Sequence, residues 1–197
     1  TLDWYVAWST DAKGNRVSID AFDFRVLAAA RMRDANQNVT AVAFDILGLP
    51  VAAATLGDVQ PGSAAEITET GERLDEFTFE LLNPSPGEAA GFFGLTNPSA
   101  PLDAVLARRW LGKATTRFVY HFGETRDSQG RVSQWGASPA RACTIARERR
   151  ERDLANTPAN AIPIQVAFEY SDGAGQAFVK NVQAEPEALG GALRWVT

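Results

Sequence analysis

The chain has 197 residues, 45% of them hydrophobic and 22% charged, with a formal net charge of −5. Such a composition suits a globular protein that buries its own core and excludes a disordered or fibrous one. One cysteine and one histidine exclude an intramolecular disulfide, a multi-cysteine zinc site and a multi-histidine metal centre.

No run reaches about 18 apolar residues and no basic-then-apolar leader opens the chain, so no membrane partner and no retained secretory signal are expected. A start at Thr1 is the expected product of removing a leader or a Met. The negative charge gives no global attraction to nucleic acid, and no sequence-specific nucleic-acid partner is expected.

Strand-length runs of aromatic and β-branched residues cover 2–9, 39–47, 74–82, 115–122 and 162–170. In the first, Trp4, Val6 and Trp8 share one face at period two, and Trp4 and Trp8 read as core. In the fourth, Phe118, Tyr120 and Phe122 alternate with Val119 and His121. In the last, Val166, Phe168 and Tyr170 alternate with Ala167 and Glu169. Three runs lead into turns headed by Asp11, Asp127 and Asp172, where an early Asp can accept backbone amides and a later Gly supplies positive φ. The returning segments, 16–20, 131–135 and 176–182, complete three β-hairpins.

The stretch 83–101, with Pro84, Pro86, Gly87, Gly91, Gly94, Pro98 and Pro101, reads as a long loop whose apolar tip holds Phe92, Phe93 and Leu95. That tip either folds back on the core or docks on another subunit. A helix follows, with Asp103 in its first turn, Leu102, Val105, Leu106 and Trp110 on one face, Arg108 and Arg109 near its end, and Gly112 as its stop. Residues 140–152 read as a strand to about Arg147 and then a charged loop.

Chemistry-bearing patterns are sparse. His121 is the one imidazole base candidate, and neither Ser133 nor Cys143 lies in a nucleophile signature. His121 therefore reads as an exposed or hydrogen-bonded strand residue. Gly173-Ala174-Gly175 is a hairpin turn and not a dinucleotide fingerprint, and neither a Walker-type loop nor a calcium loop is present. No catalytic residue, metal or cofactor is expected. Five tryptophans leave a carbohydrate-binding sandwich open as an alternative, and a hydrolase of unrecognised type comes third.

Charge is segregated. Glu66, Glu69, Glu72, Asp75, Glu76 and Glu80 face a single Arg73, whereas Arg141, Arg147, Arg149, Arg150 and Arg152 outweigh Glu148 and Glu151. Both stretches can be solvated faces. They can also meet between copies of the chain, since unlike patches join heterologous contacts that close into rings. The expected interface then comprises Glu66, Glu69 and Glu72 against Arg147, Arg149, Arg150 and Arg152, with Phe92 and Phe93 reaching across a boundary.

The segment Glu72-Arg73-Leu74-Asp75-Glu76-Phe77-Thr78-Phe79-Glu80-Leu81-Leu82-Asn83-Pro84 resembles one in tail and baseplate proteins of tailed bacteriophages, where Leu-Asp-x-Phe leads into an alternating strand closing on Asn-Pro. Leu2-Asp3-Trp4-Tyr5-Val6-Ala7-Trp8-Ser9-Thr10-Asp11 is similar to the opening strand and turn of such proteins. The resemblance implies a tail-tube-like β fold in a virion, assembled in the bacterial host cytoplasm as a homo-oligomeric ring with neighbouring tail proteins.

The expectation is a mainly β protein: one domain over 1–197, an antiparallel β-barrel or sandwich with one short α-helix and a long Pro/Gly-rich loop, the loop and helix forming an excursion at about 83–113.

Overall fold

The structure, a computed structural model, describes residues 5–60, 67–95, 103–129, 131–154, 156–157, 163–172, 176–184 and 194–197. The described residues form two compact units. The first draws on 1–83, 111–116 and 149–158, and the second on 84–110, 117–148 and 159–197. Expectations that fall on Trp4, Glu66, Leu102 and the Gly173-Ala174-Gly175 turn lie outside the described residues.

In the first unit, β1 (Trp8–Thr10), β2 (Arg16–Asp23), β3 (Ala28–Arg33), β4 (Val39–Phe44) and β5 (Pro50–Gly57) follow one another as an antiparallel meander. A side hairpin pairs β6 (Val59–Gln60) with β7 (Ile67–Thr68). Val39, Ala54 and Leu56 are buried, with Ala41, Val59 and Leu74 packed on them. In the second unit β8 (Thr116–His121, of which this unit holds Arg117 onward), β11 (Ala140–Arg147), β12 (Ile164–Ser171), β13 (Ala177–Ala184) and β14 (Arg194–Val196) are neighbours in that order. A separate hairpin pairs β9 (Thr125–Arg126) with β10 (Val132–Gln134). The fold is mainly β with antiparallel pairing, as expected, and neither strand run closes on itself among the described residues.

Two expected hairpins form as read, β1 with β2 and β12 with β13; at the Asp127 turn the returning β10 pairs with the short β9 and not with the 115–122 run, which is β8. In the Asp11 turn, the carboxylate accepts the amides of Lys13 and Asn15 at 2.8 and 2.9 Å while Gly14 takes φ +84°. Asp127 does the same for Gln129 and Arg131, and Asp172 accepts the amide of Gln176. The arrangement recurs where it was not expected, at Asp34 (Asn36, Asn38) and Asp45 (Leu47, Leu49). Each carboxylate satisfies amides that the reversing chain leaves unpaired, so each turn is stabilised from within.

Three expectations fail. The run 74–82 is not a strand: Phe77 N–H bonds the Leu74 carbonyl, and Thr78 caps α1 (Phe79–Leu82), its hydroxyl accepting from Leu81 N–H. The loop tip is α2 (Pro86–Leu95), begun by a capping box in which Ser85 and Glu88 bond each other's amides, with Pro86 at the first helical position. With α3 (Ala104–Leu111) there are thus three helices among the described residues, not one. Asp103 caps α3 through Leu106 N–H at 2.9 Å, and its inward residues are Ala107 and Leu111, leaving Val105 exposed.

Trp8 also departs from its expected place. It stands on edge strand β1, is 54% exposed, and carries the Arg16 guanidinium 4.7 Å above its ring. An edge strand has no second neighbour to cover its side chains, so alternation alone does not bury them.

Candidate functional site

The charged stretches meet within the first unit. Arg150 lies 3.2 Å from the Glu69 carboxylate, Arg152 lies 3.7 Å from it and donates to the Glu69 carbonyl at 2.8 Å. The amide of Asp58 and these two arginines hold the Glu69 carboxyl below its ordinary range. Glu72 is buried, accepting the Thr115 hydroxyl, while its amide donates to the Thr70 hydroxyl. Contacts expected between copies are therefore made inside one chain for Glu69, Arg150 and Arg152, and Glu72 is withdrawn from the surface. Arg149 is exposed, and Arg147 is a half-buried residue at the end of β11.

Phe92 and Phe93 are likewise interior. Both are 2% exposed. Phe92 lies 5.0 Å from the Trp110 ring, and Phe93 lies 5.9 Å from Phe168 and 6.1 Å from His121. The Arg141 guanidinium covers the Phe93 ring at 4.7 Å. These phenylalanines supply core and not a docking tip.

His121 belongs to the buried side of β8, with Arg117 and Val119, opposite the Phe118 and Tyr120 side. Its Nδ1 accepts the Gly123 amide at 3.0 Å, which places the neutral ring's proton on Nε2. Glu124 Oε2 lies 3.9 Å from Nδ1, and Glu124 Oε1 lies 3.3 Å from Arg126. Oε2 itself is buried without a hydrogen-bond partner. Burial, and then the Arg141 charge, push His121 below its ordinary value. The nucleophile candidates lie elsewhere: Ser133 Oγ shares a hydrogen bond with Thr125 Oγ1, and Cys143 is fully buried with its thiol pushed strongly up. Among the described residues no group of three or more His, Cys, Asp or Glu could hold a metal ion, and no helix is long and apolar enough to cross a membrane.

The feature that sequence reading missed is an exposed apolar end on the first unit. Phe24 and Leu27 at the β2–β3 tip, Ile46 and Leu47 at the β4–β5 tip, and Phe79 and Leu81 of α1 are each between 54% and 71% exposed. Hydrogen bonds tie these pieces together. Arg25 donates to the Asp45 carbonyl, the Ile46 amide donates to Asn83 Oδ1 at 2.7 Å, and Asn83 Nδ2 donates to the Phe79 carbonyl at 2.8 Å. Tyr5 stacks on Phe22 at 4.2 Å, with Phe24 edge-on to both. Ile46 and Leu47 occupy turn positions next to a Gly, where polar residues are the norm; that substitution was the available signal.

No family model matches the chain, and no curated protein matches it. Solved structures do. A crystal structure of TcdB2-TccC3-TEV matches with a TM-score of 0.57 at 17% identity over 91% of this chain. The Photorhabdus luminescens Tc holotoxin pore matches at 0.55 and 16% over 92%, and TcdB2-TccC3-Cdc42 at 0.51 and 16% over 92%. The chain spans only 9% of the length of each matched chain. At such identities the likeness establishes the fold alone: a β-rich arrangement also found inside bacterial toxin machinery.

Proposed function

We propose that this chain is a structural β-module of a multi-component assembly of the toxin-complex kind, working by contact and not by catalysis. The observation that carries the reading is the match of over nine-tenths of the chain to parts of TcdB2-TccC3 structures. The exposed apolar end of the first unit supports it, because a cluster of six large apolar side chains at one end is characteristic of a surface covered by a neighbour. A phage-tail ring shares the structural half of this reading. Its finer half loses one of its two supports, since the 74–82 part of the first resembling segment is turn and helix and not an alternating strand.

The test is isolation of the tagged chain under mild conditions from cells that make it, followed by native mass spectrometry and negative-stain microscopy. Recovery within a particle many times 21.2 kDa is expected. The pair Ile46→Asp and Phe79→Asp should release it while leaving its circular dichroism unchanged. Recovery of the parent as a free monomer would overturn the proposal.

A further inference from the structure

The second unit contains a hydrogen-bond arrangement with two mutually exclusive states. His121 ends β8, and its Nδ1 accepts the Gly123 amide at 3.0 Å. Gly123 takes φ +75°, and a Cβ there would overlap the Ser138 carbonyl oxygen, so only glycine fits at this close approach at the base of the β9–β10 hairpin. Ser138 N–H closes the same base on the Gly123 carbonyl at 3.4 Å. Beside the ring stands a buried carboxylate oxygen, Glu124 Oε2, which lacks a hydrogen-bond partner and lies 3.9 Å from Nδ1.

A protonated Nδ1 can no longer accept from Gly123; it becomes a donor, and the nearest anionic acceptor is Glu124 Oε2. One state satisfies the Gly123 amide and leaves Oε2 unpaired. The other satisfies Oε2 and leaves the Gly123 amide unpaired, at a cost that favours movement of the backbone. We propose that residues 121–124 form a proton-operated latch: the neutral imidazole holds the base of the β9–β10 hairpin through Gly123, and the imidazolium turns to Glu124 and releases it.

The groups facing the ring set the bias. From α2 comes the apolar Phe93 ring, from β11 the Arg141 guanidinium, and from the hairpin side Glu124 and Arg126. Burial, Arg141 and Arg126 favour the neutral, latched state, and Glu124 alone favours release. The latch stays closed near neutral pH and opens on acidification. This inference rests on the second unit's own geometry and stands or falls separately from the assembly proposal.

Amide hydrogen exchange read by NMR, corrected for the intrinsic pH dependence of exchange, tests it alongside titration of the His121 ring signals. Protection of the Gly123 and Ser138 amides should fall at least tenfold as the ring protonates, with the amides of β12 unchanged. His121→Asn, whose carbonyl can accept from Gly123 but cannot titrate, should abolish that fall. Glu124→Gln should move the ring's midpoint to lower pH. The latch is overturned if Gly123 stays protected while the ring protonates, if β12 loses protection in parallel, or if His121→Asn shows the same fall. Should His121→Asn fail to fold, an unshifted midpoint in Glu124→Gln is enough to reject it.

Discussion

Three turns of the first unit share one hydrogen-bond set but differ in the residue at their fourth position. Gly14 takes φ +84°, Gly48 takes φ +84°, and Gln37 takes φ +70°. A residue with a Cβ is strained there by about 1 to 2 kcal/mol, whereas glycine's looser unfolded state costs about 0.4 to 1 kcal/mol. Gln37 is exposed, so Gln37→Gly should stabilise by about 0.5 to 1 kcal/mol. Gly14→Ala should destabilise by a similar amount, because nothing lies within 4 Å of the added Cβ. Gly48→Ala meets Val26 Cγ1 at 2.8 Å as well, adding about 1 to 3 kcal/mol of overpacking. Urea unfolding of the three variants, with midpoints compared at constant slope, separates strain from collision. A lowered midpoint for Gln37→Gly, or equal losses for Gly14→Ala and Gly48→Ala, would refute the account.

Phe93→Ala should cost about 3 to 5 kcal/mol in denaturant unfolding, since it empties a site between Phe92, Phe168, His121 and Arg141. Cys143 should resist a thiol reagent in the native protein and react after addition of denaturant, its thiol being buried and raised. His121 binds its proton less readily folded than unfolded, so its contribution to stability is complete above about pH 6.5 and declines as the pH falls from there toward the lowered folded value. Thermal melts across that window should show the decline in the parent and not in His121→Asn.

Legibility followed the range of the interaction. Asp11, Asp127 and Asp172 announce their turns because cap and amide lie two to four residues apart; β4, β8 and β12 appear where β-branched and aromatic residues concentrate, and β11 where Arg141, Cys143, Ile145 and Arg147 alternate with small residues. The 74–82 run alternates like a strand, yet Thr78 offers its oxygen to a local amide, and that cap prevails over the alternation. Ser85-Pro86-Gly87-Glu88 spells a capping box, but the surrounding glycines and prolines obscure it. Glu69 and Arg150 are 81 residues apart, and no local rule predicts their pairing within one chain. The burial of Phe92 and Phe93, and hence their removal from any interface, follows from that same long-range packing.

The connectivity of the first unit bears on the order in which the chain can be completed during synthesis. Its meander lies within the first 83 residues and joins strands adjacent in sequence, so its hairpins can close early. Its remaining pieces come much later. Thr115 donates its amide to the Ala53 carbonyl and accepts the Thr55 amide at 2.7 Å, and Arg152 N–H bonds the Thr70 carbonyl at 2.9 Å. Until residue 152 has left the ribosome, the Thr70 carbonyl lacks the Arg152 amide and the Glu69 carboxylate lacks Arg150 and Arg152. A nascent chain halted before that point would carry an unfinished first unit, open to chaperones and proteases at the edge that Thr70 and Glu69 mark.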